Sequence, residues 1–72
     1  MRYEIFEHSV NVDGEEITTY GIVCYVDNTE AVRVYDVSTD FNSLSKLIES
    51  ANASHLDPLK LGQTLEKYFN EH

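Results

Sequence analysis

The sequence predicts an α+β fold: a three-stranded antiparallel meander followed by two helices on one face. Three observations carry that expectation. Residues 3–37 are rich in β-branched and aromatic side chains, broken twice by short turn-forming stretches. Ser38-Thr39-Asp40 then supplies three side chains that accept hydrogen bonds from free helix amides. Beyond that point the apolar residues recur at helical spacing instead of alternating.

Each element has its own signal. Residues 3–12 alternate roughly and form the first strand. Asp13-Gly14 follows, a strong hairpin signal, because a type I′ turn needs positive φ and both residues tolerate it. Residues 17–26 form the second and most apolar strand. Asp27-Asn28-Thr29-Glu30 makes the next turn, and residues 31–37 the third strand. Short turns between consecutive strands give the order 1-2-3. The first helix is expected over 40–52, with Phe41, Leu44, Leu47, Ile48 and Ala51 as its apolar stripe. Asn52-Ala53-Ser54 ends it. Asp57-Pro58 opens the second helix, expected over 58–70, since proline suits the first helical position. Leu61, Leu65, Tyr68 and Phe69 form its stripe. Gly62 weakens its start, so regular helix is expected only from about Leu61 or Gly62.

A chain of 72 residues is one domain, 1–72, with a thin core. Little volume remains for an internal active site. The longest apolar stretch, Gly21 to Val26, falls far short of the roughly 20 residues a membrane helix needs. Acidic residues at Glu4 and Glu7 break the N-terminal segment, so it does not read as a signal peptide. The single cysteine, Cys24, excludes an intramolecular disulfide and points to a reduced, cytoplasmic setting.

Thirteen acids against five bases give a net charge of −8. Such a chain repels phosphate backbones and anionic membranes, so neither nucleic acid nor membrane is an expected partner. Its simplest consequence is solubility.

Candidate chemistry is sparse. Cys24 with His8 or His55 would need an activated thiolate, yet Cys24 sits mid-strand in an acidic chain and reads as a small buried hydrophobe. His8, His55 and His72 lack metal-ligand spacing. Asp13, Glu15, Glu16 and Asp40 could gather at one end of the meander around a cation. Their spacing is not that of an EF-hand, and turn and capping chemistry accounts for them. Ser38, Thr39 and Asp40 read as a cap without a catalytic histidine. No glycine-rich phosphate loop is present, since Gly14, Gly21 and Gly62 are far apart. No catalytic residue, cofactor or metal is expected.

The faces of the sheet are more informative. Regular pairing across both turns puts Tyr3, Ile5, Tyr20, Ile22, Cys24, Tyr35 and Val37 on one face. The other carries Phe6, Val10, Ile17, Val23, Tyr25, Val32 and Val34. Both are apolar, where a sheet with one solvated face should alternate cleanly. Two short helices cover one face, expected to be that of Ile5, Ile22 and Tyr35. Phe6, Val10, Val23, Tyr25, Val32 and Val34 are then the candidate interface, and a two-fold homodimer its expected use. Gly21 lies opposite Phe6 or His8, so Phe6 is expected to pack over it, or the first strand to bulge.

Several stretches together resemble a known family: Asp13-Gly14-Glu15-Glu16, Tyr20-Gly21-Ile22, Val37-Ser38-Thr39-Asp40, Leu47-Ile48 with Asn52, and Leu56-Asp57-Pro58 with Leu61, Leu65, Glu66 and Phe69. The chain resembles short uncharacterised proteins of clostridia and related Gram-positive bacteria, grouped as a domain of unknown function. The likeness spans residues 13–69. It implies a bacterial intracellular protein and no known activity. Members often carry a cysteine just before the asparagine, where this chain has Ala51.

The expected function is therefore a small acidic, non-enzymatic protein-interaction domain that self-associates through its sheet. An acidic mimic that occupies a nucleic-acid-binding protein is one alternative. A small ligand-binding protein or enzyme is another.

Overall fold

A computed structural model describes residues 1–71. Three strands, β1 (Arg2–Val12), β2 (Glu15–Val26) and β3 (Thr29–Ser38), pair antiparallel in the order β1-β2-β3. Helices α1 (Phe41–Ala53) and α2 (Leu61–Glu71) follow, separated by a 3-10 turn at Pro58–Lys60. This is the expected α+β arrangement. Helix α2 starts at Leu61, where Gly62 and the Asp57-Pro58 turn predict it.

β1 and β2 pair without interruption from Arg2↔Tyr25 to Val12↔Glu15. Asp13 and Gly14 alone form the turn, at φ 52° and 83°, as a type I′ hairpin requires. The second hairpin closes on Val26↔Thr29 across Asp27 and Asn28, at φ 52° and 63°. That turn is two residues, not four, and Thr29 and Glu30 already belong to β3.

The β2–β3 ladder is irregular at two places. Tyr25 pairs with Glu30 but Cys24 with Val32, so Ala31 is an extra residue. Ile22 pairs with Val34 but Tyr20 with Ser38, so Tyr35, Asp36 and Val37 all lie opposite Gly21. Asp36 takes the left-handed conformation there, at φ 52°. A one-residue insertion swaps inward and outward positions. The interface placement of Val32 and Val34 is therefore corrected: both pack against the core, under the helices. Ala31 is the reason, because regular pairing from the second turn leaves no room for an extra residue. Tyr35 moves the other way, onto the uncovered face beside Phe6. The second bulge then returns Val37 to the core.

The core lies between the sheet and the helices. Tyr3, Ile22, Cys24 and Val37 meet Leu44, Ile48 and Ala51 of α1 and Leu61, Leu65 and Tyr68 of α2. Asp40 caps α1, its carboxylate accepting from the Ser43 amide at 3.2 Å. Asp57 accepts from the Leu59 amide at 3.0 Å and so starts the 3-10 turn. The Ser43 hydroxyl and the Tyr68 hydroxyl, 2.9 Å apart, tie α2 to α1. No helix among the described residues is long and apolar enough to cross a membrane.

Candidate interaction surface on the sheet

The face turned away from the helices carries Phe6, His8 and Val10 of β1, with Val23 and Tyr25 of β2. Arg33 and Tyr35 of β3 complete it. Phe6 folds over Gly21, its register partner, as the sequence predicts. A Cβ at Gly21 would lie 2.5 Å from the tip of the Phe6 ring and collide with the Val34 carbonyl oxygen. The glycine thus lets the end of the ring approach the strand closely, and the ring fills the gap the glycine leaves.

The long side chains of this face lie across it. The Arg33 guanidinium sits 4.6 Å from the Phe6 ring centre, and that of Arg2 sits 4.6 Å from the Tyr25 ring. A cation over an aromatic face is attracted by the ring's quadrupole. Tyr35 meets Phe6 edge to face at 5.1 Å and His8 at 5.2 Å. Carboxylates hold the guanidiniums from the side. Arg33 Nε donates to Glu30 at 2.9 Å, and Arg2 Nε donates to Glu4. The Arg33–Glu30 bond lowers the Glu30 carboxyl and raises the Arg33 guanidinium from their ordinary values. Val23 stands between Glu4 and Arg33 in the register and is only 3% exposed. Arginine stems cover apolar surface while their heads stay in water. Two apolar faces are therefore compatible with two helices, because the second face is partly roofed by its own side chains.

Of the six candidate interface residues, four lie on this face. Phe6, Val10 and Tyr25 are half-buried, and Val23 is buried beneath its neighbours. Val32 and Val34 lie on the opposite side. Sequence reasoning missed Arg2, Arg33 and Tyr35. The signal available was Arg33, set between two valines and hence forced outward.

At the second bulge the Asp36 carboxylate accepts from the Thr19 hydroxyl and stands 3.0 Å from His8 Nδ1. These bonds, the Thr19 one first, hold the Asp36 carboxyl below its ordinary value. Thr19 also faces the His8 carbonyl oxygen, at 3.3 Å. Its single hydroxyl proton is thus turned to two acceptors, and the three residues clasp the bulge.

The other candidates are dispersed. Cys24 is fully buried among the core residues, while His8 is on the uncovered face, so the two are separated by the sheet. Tyr3 is buried beside Cys24 and donates to the Leu56 carbonyl at 2.6 Å. Burial first, then the neighbouring Cys24, pushes the Tyr3 phenol up to about 12. His55 lies in the turn after α1, at φ 52°. Asp13, Glu15, Glu16 and Asp40 do not gather: among the described residues no three His, Cys, Asp or Glu side chains could hold a metal ion. His72 lies outside the described residues. A cleft of about 420 Å³ runs between the helices, lined by Asp40, Ser43, Lys46, Leu47, Tyr68 and Glu71, and opens broadly to solvent.

The edge of β1 holds one further feature. The Asn52 side-chain amide pairs with the Tyr3 backbone, accepting from its N–H at 2.8 Å and donating to its C=O at 3.0 Å. One side chain thus imitates one residue of a neighbouring strand.

No family model matches the chain, and comparison with curated proteins and with solved structures yields no match either.

Proposed function

We propose that the chain is a non-enzymatic protein-interaction module that meets a protein partner with the uncovered face of its sheet. One observation carries the reading: that face holds two aromatic–arginine groups, Arg33 on Phe6 with Tyr35 edge-on to the same ring, and Arg2 on Tyr25. Tyrosine and arginine supply a large share of binding energy at protein interfaces. Their stacking also fixes the side chains in advance, which lowers the entropy lost on binding. Tyr35 is 55% exposed and is the most accessible large apolar side chain there. The nucleic-acid mimic is less well supported, because it needs free carboxylates in rows. On the uncovered face, Glu4, Glu30 and Asp36 are instead tied to Arg2, Arg33, Thr19 and His8. A single buried thiol suits work in a reducing cytoplasm.

Affinity capture from extract of the source cells tests this reading. The wild-type chain should retain a protein that Tyr35→Ala and Arg33→Glu retain at least about tenfold less well. A partner held equally by all three chains would remove the uncovered face from the argument.

A further inference from the structure

The two edges of the sheet differ. β3 carries two bulges and Arg33, and such features blunt an edge against pairing. β1 is regular from Arg2 to Val12 and contains no proline, and no lysine or arginine after Arg2. The Tyr3 backbone N–H and C=O point away from β2, because Asn52 binds both. Alternation along an antiparallel strand then turns Ile5, Glu7, Ser9 and Asn11 outward as well. No hydrogen bond from the described residues reaches the backbone groups of these four from the outer side. Asn52 closes one end of this stretch at Tyr3, and the Asp13-Gly14 turn closes the other.

We infer that this edge pairs with the same edge of a second copy, antiparallel across a two-fold axis at His8, to give a continuous six-stranded sheet. The inference rests on the reading of the chain as an interaction module and names both partner and register. Four outward-facing positions are fully used only when their midpoint, His8, lies on the axis. Ile5 then meets Asn11 of the second copy, and Glu7 meets Ser9. Each such pair exchanges two backbone hydrogen bonds. An axis at Glu7 would set two carboxylates directly opposite and strand Asn11. An axis at Ser9 would strand Ile5. With the axis at His8, Phe6 faces Val10 of the second copy twice, an apolar cross-strand pair. Strand pairing stops at Glu4 opposite Val12, one residue short of the position Asn52 fills. Charge also fits. The Asp13-Gly14 tip of each copy comes level with Arg2 of the other, the only base in residues 1–32, while seven acids lie in that stretch.

Sedimentation equilibrium over a concentration series, on the whole chain, reads the association directly. The wild type should form a reversible dimer. Ser9→Pro removes an outward N–H and none of the bonds to β2. It should keep the far-ultraviolet circular dichroism and raise the dissociation constant at least about tenfold. Register is read separately by oxidation of single-cysteine variants with Cys24→Ser. His8→Cys should form a disulfide-linked dimer across the axis, ahead of Glu7→Cys and Ser9→Cys, and this holds the test open should Ser9→Pro not fold. A wild type that stays monomeric at about 1 mM overturns the edge pairing and leaves the uncovered face to be judged by the capture experiment. A dimer lost on Tyr35→Ala but kept in Ser9→Pro overturns it in favour of the face. Preferential linkage at Glu7→Cys or Ser9→Cys overturns the register.

Discussion

Gly21 stands at a crowded backbone position of the sheet. The Phe6 ring and the Val34 carbonyl oxygen both crowd the place where a Cβ would stand. A ring end can swing away, but a backbone oxygen inside a ladder cannot. Gly21→Ala should therefore cost about 1–3 kcal/mol, the usual range for forcing atoms into a packed site. Phe6→Ala in the same background should restore only part of that loss, since the Val34 oxygen stays in place. A urea titration of the three variants checks this, and a neutral Gly21→Ala would refute the close packing. This contact is legible in the sequence, because a glycine in a central strand opposite an aromatic residue has few other uses. The Asn52 bridge to Tyr3 is not. Asparagine near the end of a helix reads as a cap, and only the crossing of α1 over β1 brings its amide to the strand edge.

β3 is governed by parity. Val32, Val34 and Val37 must all reach the core, yet 34 and 37 are three residues apart and cannot share a face in a regular strand. Arg33 cannot go inward to settle the conflict, since an unpaired buried charge is prohibitive. A bulge resolves it, and Asp36 takes the left-handed turn that the bulge needs. Thr19 and His8 hold the Asp36 carboxylate there. These bonds favour the ionised form, so the folded pKa lies below the unfolded value near 3.8. The carboxylate's contribution to stability is then present above about pH 4 and is lost as pH falls through the folded value. Asp36→Asn keeps a side chain tolerant of positive φ and removes the titration. Denaturant midpoints taken down an acid series should fall less steeply in Asp36→Asn than in the wild type. Parallel curves would show that Thr19 and His8 do not stabilise the ionised form. The three strands, the first hairpin turn, the place of the second, a cap within Ser38-Thr39-Asp40 and the late start of α2 were readable from turn residues and spacing. The bulges were not, because alternation counts residues and cannot see an inserted one. The conflict between Arg33 and the three valines was the available clue, and it decides which of Val32, Val34 and Tyr35 can meet a partner.

Charge acts on the molecule as a whole. Among the described residues three ion pairs, Arg2–Glu4, Arg33–Glu30 and His8–Asp36, set local geometry. All six side chains are substantially solvent-exposed, and exposed pairs contribute little to stability. The other ten of the thirteen acids have no ion pair among the described residues. The imbalance is greatest in residues 3–32, which hold seven acids and no lysine or arginine. The folded molecule measures 39 × 28 × 18 Å. At about 0.01 M salt the Debye length is roughly 30 Å, so nearly every carboxylate feels the rest; at about 0.15 M it is roughly 8 Å. Unfolding spreads the charges apart, so screening should favour the folded state. The melting temperature should rise by several degrees as sodium chloride increases over that range, since about 1 kcal/mol shifts a domain of this size by roughly 4–8 °C. Glu15→Lys with Glu16→Lys relieves the same repulsion by covalent means. That variant should melt higher than the wild type at low salt and respond less to added salt. A melting temperature that falls with salt would mean the arginine pairs on the sheet outweigh the repulsion. In that event the uncovered face, and not the acidic excess, would set the electrostatics of the fold.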